Sequence, residues 1–223
     1  MNESDEQESA PADRIDEPPL LTPIEARVLA CLMEKELTVP DTYPLTLNSL
    51  VLACNQKSNR EPQMNLSEGE VGHIAKDLAE RDYIKIEYGE RAHKFEHNCR
   101  KQLSIDKAQQ ALLTVMMLRA PQTLNDLKTR TARMAEFDDL NDVEFGLESL
   151  NSDEANFMQH LPKTTGQRED RYTHLLCGSV EIAAVTQQVP AFVPTEKSDA
   201  IARLEMRIEE LEKRLTELEN LNE

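Results

Sequence analysis

Basic side chains collect at three places in the chain and could bind phosphate groups. One cluster lies in residues 54–62 (CNQKSNREP), a second in residues 128–133, and a third in the polar segment around Gly166. Lysine and arginine neutralise phosphate oxygens, and such contacts supply much of the affinity of proteins for nucleic acid. The candidate nucleic-acid contacts are Lys57, Arg60, Lys128, Arg130, Arg133, Arg168 and Arg171. The alternative is that these bases are solvated, or pair with the acids of an acid-rich chain.

Amide side chains accompany the first basic cluster. Asn55, Gln56 and Asn59 all lie within residues 54–62. Such side chains can read base edges, but they also fix loops through hydrogen bonds to backbone groups. Both roles stay open for these three residues.

Enzymatic and metal-dependent chemistry have weaker support. His93, His97 and Cys99 would share one strand face and could hold a metal ion, but they lack the loop-borne CxxC spacing of structural zinc sites. Phe95 on the same face favours ordinary packing. The chain has no GxSxG, GxxxxGKS/T or HExxH motif, and no base is located for Cys54 or Cys99 as a nucleophile. We therefore expect a protein that is not an enzyme and carries no metal or cofactor.

The elements that position these residues begin with three predicted helices. Thr22 is followed by a proline and, three residues after itself, by Glu25, which together form an N-terminal capping box. We expect this helix to end near Leu37. A second helix is predicted from Thr46, and a third follows the N-cap Ser67, which has its own capping box.

A predicted β-hairpin completes this first set of elements. Residues 83–88 (YIKIEY) alternate in polarity as a strand does, residues 89–92 form a turn, and residues 93–98 return as the partner strand. Three helices followed by a hairpin is the order of a winged helix, a variant of the helix-turn-helix.

Two local patterns recur later in the chain. Residues 123–127 (TLNDL) match residues 46–50 (TLNSL) at an offset of 77. Residues 140–145 echo the capping box and hydrophobic staple of residues 66–71 at an offset of 74. Two matches in the same order and at nearly the same offset predict a tandem repeat.

The rest of the second set follows from apolar patterning. Residues 103–119 are predicted to form a strongly apolar helix with Ser104 as its N-cap. Strands are predicted at residues 157–161 and 171–176, on either side of a polar tip.

The third helices carry the wrong charge for ordinary DNA recognition. In this class of fold, a helix placed in the major groove reads the bases. Its outward positions in the first repeat are acidic on balance, and residues 134–162 of the second repeat contain eight acids and no lysine or arginine. Because such a surface repels phosphates, we do not expect the second repeat to read the groove.

The C-terminal residues follow a heptad pattern with alternating spacings of three and four. The apolar positions are Ile201, Leu204, Ile208, Leu211, Leu215 and Leu218. Isoleucine at a positions with leucine at d positions favours a parallel two-stranded coiled coil. We predict a homodimer through this segment. The alternative is a lone amphipathic helix that folds back on its own domain.

The net charge of −17 is concentrated at the ends of the chain. Residues 1–19 carry −6 and residues 179–223 carry −5, whereas the much longer segment 20–178 carries −6. The total therefore describes the terminal segments more than the middle, and it leaves room for a smaller basic surface.

The sequence predicts a cytoplasmic protein with no membrane partner. Its first ten residues lack the basic and apolar regions of a signal peptide. The longest apolar stretch, near residues 111–118, is too short to span a bilayer. Four cysteines without a CxxC pair suit reduced thiols.

Several strings resemble the YceH-like family of uncharacterised bacterial proteins. They are residues 21–29 (LTPIEARVL), 43–48 (YPLTLN), 54–62 (CNQKSNREP), 127–133 (LKTRTAR) and 167–175 (QREDRYTHL). The resemblance covers about residues 20–178 and implies a tandem winged-helix fold, with no known activity. Residues 89–94 look shorter than the glycine-rich wing of that family, which argues against DNA contacts by this wing.

The sequence thus predicts an α+β, helix-rich chain with two tandem winged-helix domains followed by a C-terminal coiled-coil helix. The predicted segments are a disordered acidic leader (1–19), winged-helix domains (20–102 and 103–178), a linker (179–198) and the coiled-coil helix (199–223). The leading functional hypothesis is a non-enzymatic regulatory protein that binds DNA. The alternative is a protein–protein adaptor that uses acidic helices and a dimeric coiled coil.

Overall fold

The computed structural model describes residues 20–89, 92–151 and 156–179. The predicted leader, the linker after Ser179 and the coiled-coil helix with its dimerisation positions lie outside the described residues. Those predictions, and the domain boundary predicted between residues 102 and 103, stay predictions.

The described residues form seven α-helices, one 3₁₀ turn and five strands. The first half contains α1 (Pro23–Thr38), the 3₁₀ turn (Pro40–Thr42), β1 (Leu45–Thr46), α2 (Leu47–Cys54), α3 (Glu68–Glu80), β2 (Ile84–Tyr88) and β3 (His93–His97). The second half contains α4 (Cys99–Gln102), α5 (Lys107–Leu118), α6 (Leu124–Thr131), α7 (Leu140–Glu148), β4 (Met158–Leu161) and β5 (Arg171–His174). This part of the chain is α+β and helix-rich, as predicted.

The strands form two small antiparallel sheets. The first has the order β1-β3-β2 and places Leu45 opposite Phe95, and the second pairs β4 with β5. An isolated bridge also joins Gln122, just before α6, to Tyr172 in β5. Gln122 follows Leu45, and Tyr172 follows Phe95, by the same 77 residues that separate the two TLN patterns. Strand pairing therefore repeats at an offset already present in the sequence.

Side-chain caps fix the starts of four helices where the sequence places them. Thr22 and Ser67 accept hydrogen bonds from the third helical residues of α1 and α3, and both complete capping boxes with a glutamate. Thr46 caps α2 by accepting a hydrogen bond from the Ser49 amide, and Thr123 forms a capping box with Asp126 at the start of α6. A cap stabilises a helix end by about 1 kcal/mol, and it depends only on neighbouring residues, which is why these starts are readable from the sequence.

Two predicted helix starts in the second half are wrong. The N-cap of α5 is Asp106 rather than Ser104, and Ser104 instead has a φ of 54° in the turn after α4. Helix α7 begins at Leu140, two residues before the start implied by the repeat, because Asp139 accepts a hydrogen bond from the Asp142 amide. In both places a nearby aspartate, a residue type that favours the N-cap position, caps the helix in place of the predicted residue.

Helices α1 and α5 form the centre of the core and pack against each other. Residues 26–33 of α1 and 111–118 of α5 are all buried, since other elements cover both helices. Gly146 of α7 lets that helix approach α5 closely, because a Cβ atom at this position would lie 2.9 Å from Leu112 Cδ1. The pairing of α1 with α5 joins the first set of elements to the second.

A polar cluster around Glu36 reinforces this junction. The Glu36 carboxylate lies 2.8 Å from His97 Nε2 and accepts hydrogen bonds of 2.9 Å from Gln110 Nε2 and Arg100 Nη2. The hydrogen bond with His97, partly opposed by burial, lowers the pKa of Glu36 to about 2. A side chain of α1 thereby holds β3, α4 and α5 together.

His174 in β5 should make stability fall in mild acid. Burial lowers the pKa of His174 to about 4, and its Nδ1 atom has no partner among the described residues. Between pH about 6.5 and 4 the unfolded chain binds a proton that the folded chain does not, so stability is lost as the pH falls through this window. We expect the loss to reach at most about 3 kcal/mol.

Chemical denaturation of wild type and His174→Gln at pH 7 and pH 4.5 measures this effect. The variant should lose less stability than wild type between these two values. His93→Gln, which changes an exposed histidine that forms no ion pair among the described residues, is the matched control and should retain the wild-type pH dependence. An unchanged pH dependence in His174→Gln would contradict the assignment.

Candidate phosphate-binding cleft

A cleft of about 500 Å³ lies where four segments of the fold meet. These segments are the C-terminal end of α1, the loop after α2, the C-terminal end of α5 and the end of α6. Its charged lining residues, within the described chain, are five bases and one acid: Lys35, Lys57, Arg119, Arg130, Arg133 and Glu34. A concave surface on which one sign of charge predominates concentrates the electric field, so the excess of bases in this cleft favours anions although the chain as a whole is acidic.

Three of the sequence-predicted contacts meet in this cleft. Lys57 comes from the loop after α2, whereas Arg130 and Arg133 come from the end of α6. Sequence reasoning missed Arg119 and Lys35, which lie at the C-terminal ends of α5 and α1. The sequence shows only that each of these two bases lies near the end of an apolar helix. The packing of α1 against α5 is what brings both helix ends to the loop after α2.

Arg119 connects α5 to the loop after α2. Its Nη2 atom donates a hydrogen bond of 2.6 Å to Asn59 Oδ1, and Asn59 has a left-handed φ of 61°, which asparagine tolerates better than most residues. Burial and the nearby charges of Arg130 and Arg60 lower the pKa of Arg119. This crowding of positive charges favours a bound anion, which would relieve the repulsion.

The other bases of the cleft differ in whether they already form an ion pair with a neighbouring acid. Arg130 Nη2 lies 3.3 Å from Asp126 Oδ1, one helical turn earlier on α6. Lys57 and Arg133 are exposed, and neither forms an ion pair within the described part of the chain. Lys57 and Arg133 are therefore the side chains most available to a ligand.

Arg60 is not a surface contact, contrary to the sequence-based prediction. Its side chain is fully buried and lies 2.6 Å from Glu34 Oε2, while its Nε donates to the Ala53 carbonyl and its Nη1 to the Asn59 carbonyl. Burial acts to lower the pKa of Arg60, but the hydrogen bonds and charge of Glu34 outweigh it and the pKa is raised. Arg60 therefore positions the loop that presents Lys57.

Two further side chains hold this loop. Arg27, also buried, donates hydrogen bonds to the carbonyls of Cys54 (3.3 Å) and Pro62 (2.6 Å). Asn55 exchanges two hydrogen bonds of 2.8 Å with the backbone of Leu66, so it fixes the loop and its side-chain amide is not free to read bases. These hydrogen bonds fix both ends of the loop. Gln56, another amide of the same sequence cluster, lines the cleft.

The remaining predicted contacts lie outside the cleft lining. Lys128 Nζ donates a hydrogen bond of 2.6 Å to the Asp138 carbonyl. Arg171 is half-buried and donates to the Pro121 carbonyl, and Arg168 is exposed in the segment between β4 and β5. The structure does not bring these three residues together with Lys57.

Helices α3 and α7, the third helices of the two predicted repeats, present acidic rather than basic surfaces. On α7 the exposed positions include Asp142, Glu144 and Glu148, and Phe145 among them is 71% exposed. On α3 the first turn is acidic and the last turn contains no base. Neither helix has the charge of a major-groove reader.

The alternative metal-binding residues are used in other ways. His97 is buried against Glu36, and its Nδ1 accepts a hydrogen bond from the Cys99 amide. His93 packs edge-on against Tyr88. In residues 20–89, 92–151 and 156–179, no group of three or more potential ligands is placed to hold a metal ion.

None of the helices in the described segments combines the length and the apolar character needed to cross a membrane.

Comparison with known proteins identifies close relatives. Residues 21–167 match a family described as a protein of unknown function, DUF480. A UPF0502 protein of Cellvibrio japonicus is 48% identical over 201 residues, which cover 90% of this chain and 92% of the relative. UPF0502 proteins of Ectopseudomonas mendocina (46% over 206 residues, 92% of both chains) and Pseudomonas fluorescens SBW25 (43% over 210 residues, 91% and 95%) are similar as well.

Proposed function

Because this chain belongs to the DUF480 or UPF0502 family, whose descriptions assign no activity, we propose a function from its own geometry: a non-enzymatic regulatory protein that binds DNA. DNA is held through its phosphates at the cleft that contains Lys57, Arg130 and Arg133. The observation that carries this proposal is the convergence of five bases on one concave surface. The family assignment also agrees with the YceH-like resemblance.

The arrangement of elements supports two tandem winged-helix repeats. Helices α1 to α3 precede the β2–β3 hairpin, and helices α5 to α7 precede the β4–β5 hairpin. In both sets a residue just before the second helix pairs with the second strand of the hairpin, at the common offset of 77. Domains of this kind commonly bind DNA, although a fold alone does not establish a function.

The distribution of charge supports backbone contacts over base reading. Phosphate contacts give affinity that depends on salt and little on sequence, whereas base contacts in the groove give specificity. The bases of the cleft can supply the first kind, and the acidic faces of α3 and α7 oppose the second kind. We therefore propose binding with a weak sequence preference.

Fluorescence anisotropy with a labelled duplex of random sequence tests this function. Affinity should fall as salt is raised, with the logarithm of the affinity linear in the logarithm of the salt concentration and a slope corresponding to about three to five phosphates. A genomic duplex should bind with similar affinity. Absence of binding at low salt would refute the proposal.

We also propose that the protein is a homodimer through the heptad segment that begins at Ile201. Isoleucine at two of the three a positions and leucine at each d position support this, and the segment lies outside the described residues. Deletion of residues 196–223 should halve the molar mass measured by light scattering. An unchanged mass would contradict a coiled-coil dimer.

A second candidate function is that of a protein–protein adaptor. The observation that favours it is Phe145, a large apolar side chain that is 71% exposed on the acidic face of α7. Purification from cells with the nucleic acid digested distinguishes the two functions. A stoichiometric protein partner that is lost on Phe145→Ser would support the adaptor, and recovery of the protein alone would count against it.

A further inference from the structure

The basic cleft holds two side chains whose charge is uncompensated. Lys57 and Arg133 are exposed at the cleft, and their side chains form no ion pair or hydrogen bond with the residues that the structure describes. The other bases of the lining are already bonded to a neighbouring acid or amide. Because bases on one concave surface repel one another, the lining favours an anionic group that the described residues do not supply.

The acidic leader carries groups of the complementary charge. Residues 1–19 contain seven acids and one base, a net charge of −6, whereas the longer segment 179–223 carries −5. Residues 1–13 contain five of these acids and no lysine or arginine. Their carboxylates, like phosphates, are acceptors of charge-assisted hydrogen bonds from lysine and arginine. The leader can therefore satisfy the same bases as a nucleic acid.

The leader joins the fold at the start of α1, whereas the cleft lies at the other end of that helix. The Leu21 amide donates a hydrogen bond of 2.8 Å to the Leu176 carbonyl, and Arg81 donates to the Leu20 carbonyl. These bonds fix the chain directly after the leader. The distance from this attachment to the cleft is therefore set by the length of α1.

This distance selects which acids can reach the cleft. At about 1.5 Å per residue, Pro23 and Lys35 are separated by about 18 Å along α1. A chain spans at most about 3.5 Å per residue, so residue 13 can lie about 25 Å from Leu20, and earlier residues farther still. Residues 16–17 can lie only about 14 Å from Leu20. The acids of residues 1–13 can thus reach the cleft, and those at 16–17 fall short.

The covalent connection makes even weak contacts effective. A segment joined to its site by a short linker meets that site at an effective concentration on the order of 1 mM. A dissociation constant on the order of 1 mM is then sufficient for about half occupancy. A few exposed ion pairs at low salt suit an affinity of this size, and salt weakens them by screening.

We propose that residues 1–13 of the leader bind in the basic cleft through salt bridges to Lys57 and Arg133, so that the leader is an internal competitor of phosphate-bearing ligands. The inference rests on the proposed function in so far as DNA uses the same two bases. Because leader and DNA exclude each other at these side chains, the leader lowers the apparent affinity for DNA.

Zero-length cross-linking of the full-length protein with a carbodiimide tests the contact in the absence of DNA. The reagent joins a lysine amine to a carboxylate that lies in direct contact with it. Peptide mapping by mass spectrometry should find residues 1–13 linked to Lys57 at least about fivefold more often than to Lys76, an exposed lysine on α3. The excess should disappear in about 1 M salt. Equal yields at the two lysines would overturn the proposal.

Two Asp-Glu dipeptides of the leader provide a matched pair of variants for the competition. Asp5→Asn/Glu6→Gln removes two charges that can reach the cleft, and it should raise the affinity for the labelled duplex by about twofold or more at low salt. Asp16→Asn/Glu17→Gln removes the same two charge types at positions that cannot reach it, and it should leave the affinity close to wild type. Equal increases would show a general repulsion of DNA by the leader and would refute the contact.

The two measurements separate this inference from the proposed function. If DNA binds but the cross-links do not favour Lys57, the leader contact is refuted and the DNA-binding function stands. If residues 1–13 cross-link selectively to Lys57 and neither wild type nor Asp5→Asn/Glu6→Gln binds DNA, the proposed function is refuted and the leader contact stands. Selective cross-links together with tighter DNA binding by Asp5→Asn/Glu6→Gln support both.

Discussion

The double substitution Arg130→Ala/Arg133→Ala should weaken binding to duplex DNA by about tenfold or more at low salt and should reduce the salt slope by about two. Each arginine removed means one phosphate fewer from which counterions are released, which fixes the size of the change in slope. The measurement is a series of anisotropy titrations across salt concentrations with one labelled duplex.

A matched control removes two lysines outside the cleft. Lys76→Ala/Lys107→Ala changes the net charge by the same amount, and both side chains are exposed, on α3 and at the start of α5. This variant should keep the wild-type affinity and slope. If the control loses as much affinity as the cleft variant, the binding follows total charge or the face of α3, and the cleft is not the site.

The substitution Glu34→Gln should destabilise the fold by about 3 kcal/mol. Glu34 is the carboxylate that balances the fully buried Arg60, at 2.6 Å and 3.2 Å from its two terminal nitrogens. Removing one partner of a buried ion pair leaves an uncompensated charge in a poorly solvated environment, which costs more than the pair itself contributes. Urea denaturation at neutral pH measures the change in the free energy of unfolding.

An exposed ion pair provides the comparison for this prediction. Glu96 lies 3.0 Å from Lys85 across β2 and β3, and the lysine side chain is 61% exposed. Glu96→Gln should therefore cost about 1 kcal/mol or less. If both variants lose the same free energy of unfolding, the buried charge of Arg60 does not depend on Glu34. The loop after α2 would then be held by other contacts.

Arg60→Lys separates the positioning role of Arg60 from a direct contact. Lysine keeps the charge but cannot reproduce the several hydrogen bonds that Arg60 makes to Glu34, Ala53 and Asn59. On this account stability falls while the salt slope of DNA binding in the folded protein is unchanged, because Arg60 touches no phosphate.

Local chemistry explains which parts of the fold were predictable. The starts of α1, α2, α3 and α6 depend on caps formed within four residues, so the sequence shows them directly. The start of α5 was misplaced because Ser104 and Asp106 both suit a cap, and only the turn after α4 decides between them. The strand β1 has two residues and no pattern of its own, since its pairing with β3 comes from distant residues.

The candidate site was only partly predictable for a different reason. Lys57, Arg130 and Arg133 could be named as bases, but their convergence depends on the packing of α1 against α5. Arg60, a base only three positions after Lys57, is instead buried and paired with Glu34 of α1. Residue type and spacing therefore identify candidate phosphate contacts. Tertiary contacts are needed to distinguish the bases that line the cleft from Arg60, which supports the loop.

We propose that DNA binds at the basic cleft and not along helices α3 and α7. Amide hydrogen exchange, followed by mass spectrometry with and without a saturating duplex, tests it most directly. We predict slower exchange in peptides that cover residues 54–60 and 128–134, with no change in residues 140–148. Slower exchange confined to residues 68–80 or 140–148 would contradict DNA binding at the cleft.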